Sequence, residues 1–258
     1  MELSGKPLNQ TLFVSTHDLL VLHGKQLQST HLYGGELCLL TCSSVGIICF
    51  AVEPKTQNIF ILLGREAGID PRSPRGAWCS FAGHPDPGET AEETGAREFT
   101  EESLACVKIP NIASRDLLTY QDAVLSMLTR REYTCKIQTI TKTKDHKHAR
   151  IYFLKEVLWQ PALGTEFGLM RSKLLSLKES QTSDEAPLCV RKHPAVSLAN
   201  GRIFVNTHYL EKQSVEWWSL DRLGDVARNR GRYKEQRFRK SFIPVLKTIF
   251  DKFKTCYA

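Results

Sequence analysis

Apolar residues along this chain fall into short strand-like runs and a few stripes at helical spacing. Val45 to Val52 is a continuous apolar run of the buried-strand kind, and Asn58 to Leu63 is a second, after the turn-like Glu53-Pro54-Lys55-Thr56-Gln57. Together they predict a hairpin entering the core. Trp78-Cys79-Ser80-Phe81 predicts a short strand, Val107 to Ile112 and Glu132 to Thr139 have strand character, and Ala149 to Leu158 is a strong strand. The polar, basic Thr141 to His148 predicts the tip of a hairpin. Leu117 to Leu128 reads as a helix or an irregular crossing. Phe242, Val245, Ile249 and Phe253 repeat at helical spacing and predict a final core-packed helix over 242–253. Strands and helices therefore alternate in an α/β pattern.

One stretch organises the rest. In Gly83 to Ala105, His84-Pro85-Asp86-Pro87-Gly88 is dense in turn formers, and Thr90 followed three residues later by Glu93 is a capping box. A tight loop thus feeds a helix. At 100° per residue Glu98, Glu101 and Glu102 share one face, and Arg97 stands four residues from both Glu93 and Glu101, within reach of both carboxylates. Three acids on one turn repel one another unless a cation sits among them. Hard oxygen ligands of this kind suit Mg²⁺ or Mn²⁺, which keep waters and accept phosphate oxygens from a substrate.

Gly83, Glu89, Arg97, Glu98, Glu101 and Glu102, with Phe99 as the apolar residue after the Arg-Glu pair, follow the spacing of the Nudix signature, and on these residues the chain resembles the Nudix hydrolase superfamily. The resemblance implies an α/β/α sandwich around a mixed β-sheet, with residues 1–40 as an N-terminal extension and 41–258 as the Nudix domain. Glu98, Glu101 and Glu102 would hold the metal ions, with Glu89 and the Gly83 carbonyl as further ligands, and Arg97 would orient the acids. The general base would be a signature glutamate such as Glu102 or an acid from a later loop, with Glu211 and Glu216 as outside candidates. One position departs from the family pattern. Leu104 stands where the family has glycine, so the helix is expected to end without a left-handed residue.

Segments beyond the signature are read with it. Gly64-Arg65-Glu66 supplies the basic residue at the end of the second strand, and Arg65, Arg72 and Arg75 are either phosphate contacts or solvated loop arginines. Thr11 to Val14 and Leu19 to Leu22 predict short strands in the extension. Trp159 to Asn200 reads as an insertion before the last strands, with Pro161, Pro187 and Pro194, a polar centre, and a short amphipathic helix near Met170 to Leu177. Core structure resumes at Arg202 to Leu210. Glu216-Trp217-Trp218 through Leu223 resembles the late Nudix segment in which an acid is followed by an aromatic and a short helix.

Composition narrows the class. With 258 residues, 41% hydrophobic and 24% charged, the chain can bury a sizeable core and has no run approaching a membrane span. Its N-terminus has neither a signal-peptide nor a transit-peptide pattern, which predicts an intracellular protein. The eight cysteines form no Cys-x-x-Cys pair and are read as reduced, mostly buried thiols; the scattered histidines, His146 and His148 included, are read as structural. No nucleophile elbow, Walker loop, dinucleotide fingerprint or His-Glu-x-x-His is present.

Charge adds a partner. The net charge is +7 and the pI about 9.0. From Arg222 to Lys240 there are eight Lys or Arg residues against Asp225 and Glu235, with Tyr233 and Phe238 interleaved. Arg228, Arg230, Arg232, Lys234, Arg237 and Arg239 either track the phosphates of a single-stranded RNA or form a solvated basic stretch, and Trp217 and Trp218 are candidate base-stacking surfaces. The expected reaction is metal-assisted hydrolysis of a diphosphate linkage in a nucleoside diphosphate-linked substrate. Capped RNA is the favoured substrate. Free nucleotides (dinucleoside polyphosphates, ADP-ribose, nucleoside triphosphates), diphosphoinositol polyphosphates, and a binding module without catalysis are the alternatives.

Overall fold

The strand-like runs assemble into one mixed sheet in a computed structural model that describes residues 9–14, 26–27, 40–69, 75–110, 118–142, 147–180, 190, 193–199, 202–229, 232–233 and 235–257. The predicted hairpin forms from β3 (Leu40–Val52) and β4 (Ile59–Glu66), following β1 (Asn9–Val14) and β2 (Gln26–Leu27). Then come β5 (Trp78–Cys79), β6 (Phe81–Gly83), the signature helix α1 (Ala91–Ser103), α2 (Leu118–Thr129), β7 (Cys135–Lys142), β8 (Lys147–Glu156) and α3 (Leu163–Ser180). A small hairpin, β9 (Val196–Ala199) and β10 (Arg202–Val205), leads through a 3₁₀ turn (Thr207–Leu210) into β11 (Lys212–Ser219) and α4 (Leu220–Arg228). The short strands β12 (Arg232–Tyr233) and β13 (Gln236–Arg237) precede α5 (Ile243–Tyr257).

The main sheet runs β1-β7-β8-β3-β4-β11, with β3 and β8 parallel and the other neighbours antiparallel. Strand alternation then sorts the core into two layers. Val45, Ile47, Cys49 and Ala51 of β3 face α1, α2 and α3, where Phe99, Val124 and Phe167 are buried. Ile48 and Phe50 face the other way, onto Val226 of α4 and Val245, Leu246 and Ile249 of α5. This is the α/β/α sandwich with a mixed sheet that the signature implies.

β3 and β4 stay paired only from Phe50 to Val52; farther along, β6 takes β4's place beside β3, with Val45 opposite Gly83, and β5 pairs with β4. The split lets the chain leave β6 at Gly83 and pass through the loop 84–90 into α1.

Several expectations change. Val107 to Ile112 makes no strand over its described residues, because its backbone is bonded elsewhere: the Tyr120 hydroxyl donates to Val107 O (2.8 Å) and the Lys108 N–H to Gln160 Oε1 (2.6 Å). The short helix expected at Met170 to Leu177 is the 18-residue α3, and its Leu163, Phe167, Leu174 and Leu177 belong to the core. Arg202 to Leu210 divides into a strand and a 3₁₀ turn. Thr11 to Val14 lies in β1, which adds an edge strand beside β7, while Leu19 to Leu22 lies outside the described residues. Cys42, Cys49, Cys79 and Cys135 are buried free thiols and Cys106 a half-buried one. Among the described residues no helix is long and apolar enough to cross a membrane.

Candidate active site

The signature helix begins as its sequence dictates. Thr90 Oγ1 accepts from the Glu93 N–H (3.1 Å) and Glu93 Oε2 from the Thr90 N–H (2.7 Å), so both halves of the capping box are closed. Glu93 is thereby taken up by the cap. Arg97 instead grips Glu89 with two parallel bonds, Nε to Oε1 at 2.7 Å and a terminal nitrogen to Oε2 at 2.9 Å. It also donates to Glu98 Oε1 (2.7 Å) and the His84 carbonyl (3.0 Å), and lies 3.5 Å from Glu101 Oε2. Of the two partners expected for Arg97, Glu93 is not bridged and Glu101 is approached only to 3.5 Å; Glu89 and Glu98 take the close bonds instead.

The helix ends against expectation too. Leu104 is left-handed (φ 54°, ψ 29°), and Ala105 follows with φ 51°. The geometry that glycine would give is thus kept without glycine. For an L-residue it costs about 1–2 kcal/mol, and Leu104, only 1% exposed in the core, recovers an amount of that order, about 1.5–3 kcal/mol, from burial.

Glu98, Glu101, Glu102, Arg97 and Gly83 meet at a cleft of about 540 Å³. Gly83 makes that meeting feasible: a Cβ there would lie 2.2 Å from the Glu98 carboxylate. Burial pushes the Glu98 carboxyl up to about 7, against the pull of Arg97, and raises Glu101 as well. Burial also lifts fully enclosed Glu102 well above the usual carboxylate range, with Lys212 opposing. Glu89 is the exception, since the hydrogen bonds from Arg97 outweigh its burial and hold it low.

Opposite charge lines the rest of the cleft. Arg150 of β8 and Arg239, with Ser43, Ser44, Tyr152, Ser241 and Phe242, lie around it, as do Asn206, His208 and Glu211 from the 3₁₀ turn and its end. His208 Nδ1 is 2.9 Å from Glu211 Oε1, and that bond raises the imidazole pKa. Glu216 pairs with Arg222 at 2.9 Å and does not line the cleft.

Other sequence-derived candidates lie elsewhere. Trp218 is wholly buried at 0% exposure, packed edge-on against Trp78 and Phe238, so it has no face for a base. Trp217 donates its indole N–H to Gln160 O (2.9 Å) and packs on Trp159, half-buried in the other layer. Both are structural because β11 runs between the two core layers and points successive side chains into each. Arg65 and Arg75 are exposed and away from the cleft, Arg65 donating to the Gly76 carbonyl at 3.3 Å. Arg228 pairs with Asp225 (2.6 Å), Arg237 is exposed, and Arg72, Arg230, Lys234 and His146 lie outside the described residues, as does the side chain of Arg232. Among the described cations of the six singled out in the tract, Arg239 lines the cleft. The Arg239 N–H donates to Trp78 O (3.0 Å), which lays this segment along β5.

Lys212, Glu66 and Cys79 are among the residues that sequence reasoning missed, with Arg150 and His208 of the cleft wall. Lys212 Nζ is 2.8 Å from Glu102 Oε1, 2.9 Å from Glu66 Oε1 and 3.1 Å from Cys79 Sγ, while the thiol donates to Glu66 at 2.9 Å. Burial alone would lower the Lys212 pKa, but the three groups around it outweigh that and raise it. Its only sequence signal is its place at the start of β11, a register that cannot be read without the fold.

Among the described residues no three His, Cys, Asp or Glu side chains surround one point as a ready-made ligand set. Arg97 takes both Glu89 oxygens and one of Glu98, and Lys212 and the Ala82 N–H (2.7 Å) take those of Glu102. What remains is Glu98 Oε2, Glu101 Oε1, and the lone pairs of Glu102 not taken by Lys212 and Ala82, with Glu101 Oε2 3.5 Å from Arg97. That set fits Mg²⁺ or Mn²⁺, which need one or two protein carboxylates beside waters and substrate phosphates, and the buried acids have charge for a cation to offset.

The sequence matches the NUDIX domain family over residues 43–167. No curated protein matches it. Among solved structures, the Nudix hydrolase RenU of M. smegmatis is similar at 11% identity and a TM-score of 0.40, covering 83% of this chain and 87% of that one. A C. elegans Ap4A hydrolase, in a binary complex, is similar at 14% identity and 0.36, covering 83% and 100%. A mutT/nudix family protein of Listeria innocua is similar at 14% and 0.35, covering 83% and 94%.

Proposed function

The chain belongs to the Nudix hydrolase superfamily, and we propose that it hydrolyses a diphosphate linkage in a nucleoside diphosphate-linked substrate with Mg²⁺ or Mn²⁺, the favoured substrate being the 5′ cap of an RNA. The observation that carries this reading is the meeting of the signature acids with the end of the basic tract in one cleft, where Arg239 and Ser241 face Glu98, Glu101 and Glu102. The metal, when bound, would offset phosphate charge and acidify the attacking water. Glu98 and Glu101 would hold it through their free oxygens and Glu102 through its remaining lone pairs, and Arg97 fixes Glu98 while closing the Glu89 loop over the helix. Arg150 and Arg239 are placed to bind phosphate oxygens. Glu102 and Glu211 are the candidate bases, both at the cleft.

The RNA part of the reading rests on charge. With Trp217 and Trp218 packed inside, base stacking on them no longer supports it; exposed Arg237 and Lys240, flanking Arg239, do. The test is Mg²⁺-dependent release of labelled product from cap-labelled RNA beside a panel of free nucleotides and a diphosphoinositol polyphosphate, with Glu98→Gln as the inactive control. Capped-RNA turnover that falls steeply between low and moderate salt, and that Arg237→Ala/Lys240→Ala weakens selectively, is the expected result. Cleavage of free nucleotides alone removes the RNA assignment and keeps the hydrolase. No cleavage of any substrate, with no Mg²⁺ binding by calorimetry, leaves a binding module.

A further inference from the structure

We infer that Lys212 is a positioning residue for Glu102: its buried ammonium fixes one carboxylate of the signature helix, and with it the cleft face offered to the metal and substrate. The inference deepens the hydrolase reading and rests on it for the reaction step. It stands on geometry alone. Lys212 is 1% exposed, yet its stem runs through the protein because Gly64 leaves room; a Cβ on Gly64 would come within 2.9 Å of Lys212 Cδ. The β11 register shifts between Lys212 and Ser214, a bulge that re-aims the strand at this point.

Glu102 is thereby held from two sides. Oε1 meets Lys212 at 2.8 Å and Oε2 the Ala82 N–H at 2.7 Å, so its plane is fixed while its remaining lone pairs stay available at the cleft. Glu66 anchors the ammonium from behind at 2.9 Å, and Arg239 reaches Glu66 Oε1 at 3.5 Å. Two acids thus face two cations. Four strands or helices and the basic segment contribute one residue each or more, so the arrangement needs the whole fold. A group that orients a metal-site carboxylate in this way typically changes metal affinity or activity by about 10–100-fold when removed.

Removing Lys212 alone leaves two buried carboxylates facing each other, so the decisive comparison is made with Glu66 already neutral and only Glu102 left to lose the ammonium. Glu66→Gln retains the ammonium on Glu102; Glu66→Gln/Lys212→Met removes it. Both are checked for folding by thermal melts. The readouts are Mn²⁺ affinity by calorimetry, and kcat and KM on whichever substrate the wild type cleaves. The expected result is that the double variant binds Mn²⁺ about tenfold more weakly or worse than Glu66→Gln and loses about 100-fold in kcat, with KM within about threefold. Mn²⁺ affinity and kcat within about threefold of the single variant overturn the inference. If the wild type cleaves nothing on the panel, the hydrolase reading fails, and the Mn²⁺ comparison by itself still decides whether Lys212 positions Glu102.

Discussion

Arg97 and Lys212 each hold carboxylates of the same helix, but they do so in opposite ways. Arg97 sits at the rim, its side chain 19% exposed, and its partners Glu89, Glu98 and Glu101 all lie within twelve residues of one another and of it. Lys212 lies in the floor with its side chain at 0% exposure, and its partners come from positions 66, 79 and 102. The first cluster is local, partly wet and written into a signature. The second is dry and assembled only by tertiary folding. An ion pair at the rim can be tuned for chemistry with modest cost to stability, whereas one in the floor is tied to the fold, because losing a partner strands a charge where water cannot reach it.

That contrast predicts the largest difference in stability. Lys212→Met should lose about 3–5 kcal/mol in urea unfolding, as expected when one member of a buried ionic group is removed. Arg97→Met should lose about 1–3 kcal/mol, since its partners can regain water, while its activity falls sharply. Equal stability losses would erase the distinction between rim and floor.

Leu104 sharpens the same point at a smaller scale, because it too keeps a local geometry through distant contacts. Its replacement by glycine relieves about 1–2 kcal/mol of left-handed strain but empties a core position whose truncation costs about 2–5 kcal/mol. Leu104→Gly should therefore be less stable by about 2 kcal/mol in chemical denaturation. A stabilised variant would mean that the strain outweighs the packing.

Stability should also slope with pH. The Glu98 carboxyl is raised in the fold from 4.5 to about 7, so its contribution to stability is fully present below pH 4.5 and is lost as pH rises through about 7. Buried Glu101 acts in the same direction. Melting temperatures of the metal-free protein should decline across that window, Glu98→Gln should flatten part of the decline, and Mg²⁺ should offset it by stabilising the ionised acids. A metal-free protein that grows more stable from pH 4.5 to 7 would show that His193, whose imidazole burial pushes down from 6.5 to about 4, outweighs the acids in that window.

Much of the sandwich was legible because its causes are local or periodic. The β3–β4 hairpin follows from two apolar runs around a turn, α1 from a capping box, and α5 from a helical stripe. Where partners were remote, reading failed. Val107 to Ile112 has strand composition but spends its backbone bonds on Tyr120 and Gln160, and Trp217 and Trp218 read as platforms until β11 is placed between two core layers.

The sequence by itself determined that Gly83, Glu89, Arg97, Glu98, Glu101 and Glu102 form one unit, since a loop and a single helix place them within a few turns and no other element is needed. It determined the chain's positive charge as well. Only the tertiary structure decided that Lys212 neutralises Glu102, that Arg150 and Arg239 face the acids, and that a leucine can end the signature helix. Each of those depends on groups brought together across a hundred residues or so, where burial turns an ordinary lysine or leucine into a determinant of the site, and no spacing along the chain records that burial.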